Sequence, residues 1–314
     1  MSTSQLTFIP TGWHNHVKPF QYAVEALSGF GQVASSTTFT AQPLVTDADE
    51  NLEMLSEKVM GDNVYTYYKH AFLGDRYTLS TKHAIFDTTF INICTKPPNY
   101  ASPADNLASS ITLVRSFQQS IGAYTLTEHF MGYQGSRAEN VTLSISADGK
   151  TNLSIDWSIR EIKGPTTSLG YTTPTFVSDF TGYTAVPLTH LDVGQLSFSY
   201  NAVTYVMDTF EITWANSLLN KAYPGSRLID TNHCFHQDIG GTVEIIVGKD
   251  LVIEGLFTSA TMTINNATQK ISQAPSTLNL TAVKLNTLGK SQVAGANEEW
   301  KMKLGFECRA TAFV

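Results

Sequence analysis

The chain has 314 residues, 42% of them hydrophobic and only 15% charged, with a formal net charge of −7 at neutral pH. So much apolar material excludes a wholly disordered chain, and an acidic balance without any run of Lys or Arg excludes the electrostatic footprint of a nucleic-acid binder. The low charged fraction points instead to surfaces covered by other chains, and the length suits two domains or one large β domain.

The start MSTSQLTFIPTGW has no basic stretch and no continuous apolar core, so it reads as a soluble protein made without a secretory signal. No run of about 20 apolar residues suits a membrane helix. Cys94, Cys234 and Cys308 are far apart and odd in number, which rules out a complete intrachain disulfide set and fits a reducing cytoplasm. Asn-x-Ser/Thr sequons begin at Asn140, Asn152, Asn266 and Asn279, as chance provides in a chain rich in Ser, Thr and Asn.

In chain order, residues 1–30 carry Trp13, Phe20, Tyr22 and Phe30 without a period, an arm or edge element expected to settle on a partner surface. Residues 47–60 (DADENLEMLSEKVM) open with acids and place Leu52, Leu55 and Val59 at helical spacing, which predicts a short amphipathic helix. Strands are expected at 63–72 and 76–95, with Gly74-Asp75 as the tip of a projecting hairpin that reaches a neighbouring subunit. Residues 96–107, opening on Pro97-Pro98-Asn99, read as loop.

Residues 111–118, 124–131, 141–146 and 152–159 form a predicted four-strand meander. Its last two strands are the clearest element of the chain. Val141, Leu143 and Ile145 alternate with polar residues on one arm, Leu153, Ile155, Trp157 and Ile159 do so on the other, and Asp148-Gly149 suits the tight turn between them. The aperiodic stretch 163–175 (KGPTTSLGYTTPT) marks a junction, giving domains 1–165 and 166–314.

The second half echoes this hairpin more loosely. Phe210, Ile212 and Trp214 alternate, as do Val243, Ile245 and Val247 after Gly240-Gly241, with a long loop over 215–238 between them. Divergent duplication is inferred. Strands are expected over 195–208, 209–215, 241–248, 258–265, 268–271, 276–285 and 300–308, and one or two helical turns over 250–256. The class is mainly β with short helices.

Groups that would carry chemistry are sparse. His233-Cys234-Phe235-His236 offers three metal-ligand types in four residues but no further ligand, and a metal-free loop is preferred. Trp13-His14-Asn15-His16 presents two imidazoles, preferred as interface packing. Residues 47–51 begin like a calcium loop, but Leu52 stands where glycine is required, so helix capping explains them better. Glu128 with His129, and Asp208 with Glu211, are possible proton-transfer groups, better explained as solvated strand faces. No phosphate-cradling loop with Lys-Ser or Lys-Thr and no GxSxG elbow occurs. No catalytic, cofactor-binding or metal-binding residue is assigned, and the chain is read as not an enzyme.

The run 132–140 (GYQGSRAEN) leading into VTLSISADGKTNLSIDWSIREIKG, with FEITWANSLLN and GGTVEIIVG in the second half, resembles the tail tube (major tail) proteins of tailed bacterial or archaeal viruses. The likeness covers about residue 111 to the C-terminus. Many members have a cysteine after the glycine, where this chain has Ser136 after Gly135. The resemblance implies two tandem β-sandwich or barrel domains with short flanking helices, assembled as rings that stack into a hollow tube in the virion tail.

Further expectations follow from the resemblance. Rings of three chains with pseudo-sixfold symmetry are preferred, or of six chains if only one half lines the channel. Tape-measure and tail terminator proteins would be partners, assembly would take place in the host cytoplasm, and DNA would pass an acidic lumen without specific binding. The competing reading is a carbohydrate-binding or adhesive β-sandwich, with Trp13, Trp157, Trp214 and Trp300 as a stacking platform. Against it, Trp157 and Trp214 lie on the apolar faces of their strands.

Overall fold

The computed structural model describes residues 13–14, 20–25, 31, 39–42, 45–60, 67–83, 88–96, 110–121, 125–146, 151–169, 197–200, 203–221, 228, 231–246, 264–270, 275–291 and 301–313. These residues are mainly β. The strands are β1 (Trp13–His14), β2 (Phe20–Val24), β3 (Thr40–Gln42), β4 (Val45–Met60) and β5 (Tyr67–His83), followed by the helix α1 (Thr88–Cys94). Next come β6 (Ile111–Ile121), β7 (Thr125–Ile145), β8 (Thr151–Ile159), β9 (Glu161–Thr166), β10 (Ser197–Tyr200), β11 (Val203–Lys221) and β12 (Thr231–Ile246). The chain ends with β13 (Ile264–Lys270), β14 (Pro275–Thr281), β15 (Lys284–Ser291), β16 (Lys301–Cys308) and β17 (Ala310–Phe313).

Eight strands pair antiparallel in the spatial order β4, β5, β8, β7, β11, β12, β16, β15. The first half of β7 belongs to a second sheet, where it pairs with β6 and β9, and β6 in turn pairs with β2 and β1. The strand changes sheets around Gly135, whose φ of +63° is a left-handed conformation that glycine adopts at little cost. Strand β10 pairs with β11 and β13, and β14 joins β13 to β17.

The expected hairpin is present as β7 and β8. Val141 faces Ile155 and Leu143 faces Leu153, and these residues together with Ile145, Trp157 and Ile159 are buried. Asp148-Gly149 lies outside the described residues. The echo in the second half is β11 paired with β12, with Phe210, Ile212, Trp214, Val243 and Ile245 buried. The two hairpins meet edge to edge. Val141 pairs with Trp214, Leu143 with Ile212 and Ile145 with Phe210, so one apolar face runs across β7 and β11. A single core cluster holds residues from both sides of position 165, each large side chain contributing roughly 1.5–3 kcal/mol at most.

Several elements differ from the expectation. Residues 47–60 form strand β4 and not a helix. Every few residues β4 bonds to β5, Ala48 packs on the core, and Leu52 from the supposed apolar stripe is 53% exposed. The ladder to β5 outweighs the helical spacing of Leu52, Leu55 and Val59 in the sequence. Conversely, β5 ends at His83, and part of the predicted strand 76–95 is α1. There Phe90, Ile91 and Cys94 are buried while Thr89 and Asn92 are exposed, a helical stripe hidden by strand-favouring residue types.

Gly74-Asp75 is not a hairpin tip. Gly74 faces Leu55 and Asp75 faces Met54 inside the β4–β5 ladder, so the connection lies at residues 61–66, outside the described residues. The expected loop over 215–238 is mostly strand, because β11 and β12 continue together to Lys221 and Thr231. Gly240-Gly241 sits within β12, where Gly241 faces Ile212 and a side chain would strike the Glu211 carbonyl oxygen. The strands expected at 124–131 and 141–146 are one continuous β7, and that expected at 195–208 is β10 followed by the start of β11. Of the N-terminal arm, Phe20 and Tyr22 are buried in this chain's own core, not left for a partner. The C-terminal strand matches, with Met302, Leu304 and Phe306 buried and Lys303 and Glu307 exposed. The helical turns expected at 250–256 lie outside the described residues.

Candidate functional site: sheet edges and projecting ribbons

Backbone pairing places two ribbons beyond the body of the sheet. Strand β5 pairs with β8 only over Tyr77 to His83, so residues 53–60 and 67–76 continue as a two-stranded ribbon. Strand β11 leaves β7 after Ala215, and β12 leaves β16 before Ile239, so residues 216–221 and 231–237 continue as a second ribbon.

Both ribbons leave the same end of the sheet. Along that end Tyr77 faces Ile159, Ser158 faces Arg137, Asn140 faces Ala215 and Ile239 faces Cys308. A two-stranded ribbon is marginally stable alone in water, and its outer backbone groups are open to another chain. Among the described residues β4 pairs only with β5, and β15 only with β16, so the eight-stranded sheet is open on both sides.

The root of the second ribbon is tied down by a buried polar cluster. Asn216 Nδ2 donates to the Ala138 carbonyl at 2.9 Å, and its Oδ1 accepts from Gln237 Nε2 at 2.9 Å. Gln237 also donates to the Thr95 carbonyl at 3.0 Å, which fastens the end of α1 to β12. Cys234, whose thiol is pushed up by burial against the opposing pull of Arg137, donates to the His236 carbonyl at 3.4 Å. Cys308, half-buried on β16, is pushed up to about 12 by burial.

A second buried hub gathers around Glu25, which is 3% exposed. Its carboxylate accepts from Gly31 N at 2.7 Å, Ser110 Oγ at 2.9 Å, Thr112 Oγ1 at 2.7 Å and Gly135 N at 2.7 Å. Arg137, also buried, is pulled down by desolvation to about 10, while Cys234 and Glu25 act in the opposite direction. The guanidinium therefore remains cationic at neutral pH, a counter-charge for a carboxylate otherwise costly to bury. Sequence reasoning missed this hub. Its one local signal is an acid in the apolar run FQYAVEAL.

The sequence candidates for chemistry do not converge. His236 is exposed on β12 and contacts Asp238 at 2.7 Å, whereas Cys234 is buried, and a bulge interrupts the ladder between them. Among the described residues no three His, Cys, Asp or Glu side chains gather as metal ligands. Trp13 and His14 pair with Gln119 and Gln118 as β1, and Asn15 and His16 lie outside the described residues. Asp47 to Asn51 cap no helix, being part of β4, and Glu50 accepts from Arg115 at 3.2 Å and from Tyr133 Oη. Burial first, and then the Glu50 charge, raise the Tyr133 phenol, which stays protonated.

Glu128 and His129 are successive residues of β7, paired with Gln118 and Phe117 of β6. Asp208 is held by Lys301 at 2.7 Å, and Glu211 is exposed. Trp157 and Trp214 are 1% and 0% exposed and donate to Thr81 and Thr311, so neither face is open for stacking a sugar. No helix of the described residues is long and apolar enough to cross a membrane. No protein-family model matches this chain, and no curated protein matches it.

Proposed function

We propose that the chain is a structural virion protein, two tandem tube-like β units that polymerise as stacked rings into the hollow tail tube through which viral DNA passes. The observation that carries this reading is the pair of ribbons leaving one end of a sheet whose two outer strands, among the described residues, have one partner each. Open edges are hazardous on a monomer and become joints in a ring, while ribbons on one end suit contact with the next ring.

Each half of the sequence supplies one hairpin at the sheet centre and one ribbon. Two similar units per chain favour a ring of three chains with pseudo-sixfold symmetry over one of six. The net charge of −7 suits a lumen that lets DNA slide, and tape-measure and terminator proteins would be the partners at assembly. The test is electron microscopy and native mass spectrometry of the overexpressed protein. Hollow rings or tubes, with ring mass three times 34.4 kDa, are expected. A protein that stays monomeric at high concentration, with tail initiators supplied, overturns the reading.

A further inference from the structure

The two open sides of the eight-stranded sheet carry opposite charge. Strand β4 contains Asp47, Asp49, Glu50, Glu53 and Glu57 against a single Lys58. Strand β15 contains Lys284 and Lys290 and no acid, and on β16 beside it Lys303 is exposed, Lys301 is held by Asp208 and the one acid is Glu307. Glu50 is engaged within its own chain by Arg115 and Tyr133, whereas Asp49 and Glu53 are exposed. Lys284 is exposed on the opposite side.

We propose that β4 of one copy pairs antiparallel with β15 of the next, so that charge-matched sheet edges join chains head to tail. The inference rests on the ring-forming reading and names the surfaces that make the ring. Four observations support it. First, strand direction reverses at every step from β4 to β15, so the two edges run oppositely, and copies related by rotation about an axis along the strands meet antiparallel.

Second, the lengths agree. The part of β4 beside the body of the sheet is residues 45–52, and β15 has 8 residues. Third, the ends agree. At the ribbon end of the sheet stand Leu52 and Glu53 on one side and Lys284, facing Glu307, on the other, while Val45 and Ser291 stand at the far end. Without stagger, Glu53 comes beside Lys284 and Asp47 beside Lys290. Fourth, like edges repel. Two β4 strands would set carboxylate against carboxylate, and two β15 strands ammonium against ammonium, so only the head-to-tail joint is matched. The joint would also cover Leu52, a large apolar residue that is 53% exposed.

Two double variants test this, Asp49→Lys with Glu53→Lys and Lys284→Glu with Lys290→Glu, each checked for native circular dichroism. Sedimentation velocity of each alone is expected to show the half-assembly concentration raised at least tenfold. Combined in one chain, the four substitutions reverse both edges and are expected to restore assembly to within threefold of the unmodified protein, since every junction is again matched. An independent measurement is oxidation of the Asn51→Cys, Asn286→Cys variant, two exposed positions that face each other in this register, expected to give a ladder of linked chains ending at the ring. If unmodified rings form but the double variants assemble normally, or the combined fourfold variant stays apart, or no ladder appears, the edge pairing is wrong while the tube reading stands. If the unmodified protein never assembles, both fall.

Discussion

The Glu25 carboxylate accepts the backbone N–H of Gly135 at 2.7 Å, joining positions 110 residues apart at the point where β7 passes from one sheet to the other. The same carboxylate holds Gly31, Ser110 and Thr112, so one buried charge sets the path of four chain segments. Replacing Glu25 with Ala leaves those donors without an acceptor and Arg137 without its counter-charge. A loss of about 3–5 kcal/mol is expected from urea unfolding, with Glu25→Gln less damaging because one acceptor oxygen remains. A loss under about 1 kcal/mol would remove the hub from any structural role.

Gly135 has a φ of +63°, which a side chain disfavours by about 1–2 kcal/mol. Gly135→Ala should lower stability by that amount, and Gly135→Asn by less, because Asn tolerates the left-handed region. Equal effects of Ala and Asn would mean that space, not backbone conformation, is limiting.

His83 is 2% exposed, bonded through Nε2 to Thr81 and packed against Phe90 at 5.3 Å. Burial pulls its pKa from 6.5 to about 3. The folded state therefore stays unprotonated where the unfolded state binds a proton, and stability falls as pH drops below 6.5 towards 3, by up to about 1.4 kcal/mol per pH unit. Above pH 6.5 this residue contributes no slope. His83→Phe should flatten the dependence between pH 6.5 and 4 in urea titrations, and an unchanged slope would assign it to other groups.

Trp214 is fully buried and donates to Thr311 Oγ1 at 2.8 Å, tying β11 to the final strand β17. Trp214→Phe should cost about 1–3 kcal/mol, leaving an unsatisfied hydroxyl and a gap, and should speed amide exchange in β17 selectively. Uniform acceleration across the sheet would show that the tie is not local.

Rejoining Ser56 to Phe72, a facing pair, through an Asn-Gly turn removes the outer part of the first ribbon while leaving the ladder from Val45 to Ser56 intact. The shortened chain is expected to keep its melting temperature within a few degrees and to lose stacking into tubes by electron microscopy. Tubes of normal length would show that this ribbon is not the contact between rings.

The β class, the hairpin from Val141 to Ile159, its partner around Phe210 to Trp214 and the alternating terminal strand from Lys301 to Cys308 are written in the residues themselves. These are legible because burial on one sheet face repeats every two residues, a purely local pattern. That residues 47–60 are strand, that α1 is helix and that 216–221 and 231–237 form a ribbon emerges from long-range packing alone. Their form depends on what lies across the ladder: β5 for β4, and Tyr22 and Trp157 around Phe90 for α1. The open edges were equally hidden. Whether a strand has one neighbour or two among the described residues is a property of pairing between distant segments, so the acids of β4 and the lysines of β15 read equally well as solvated faces of inner strands until that pairing is known.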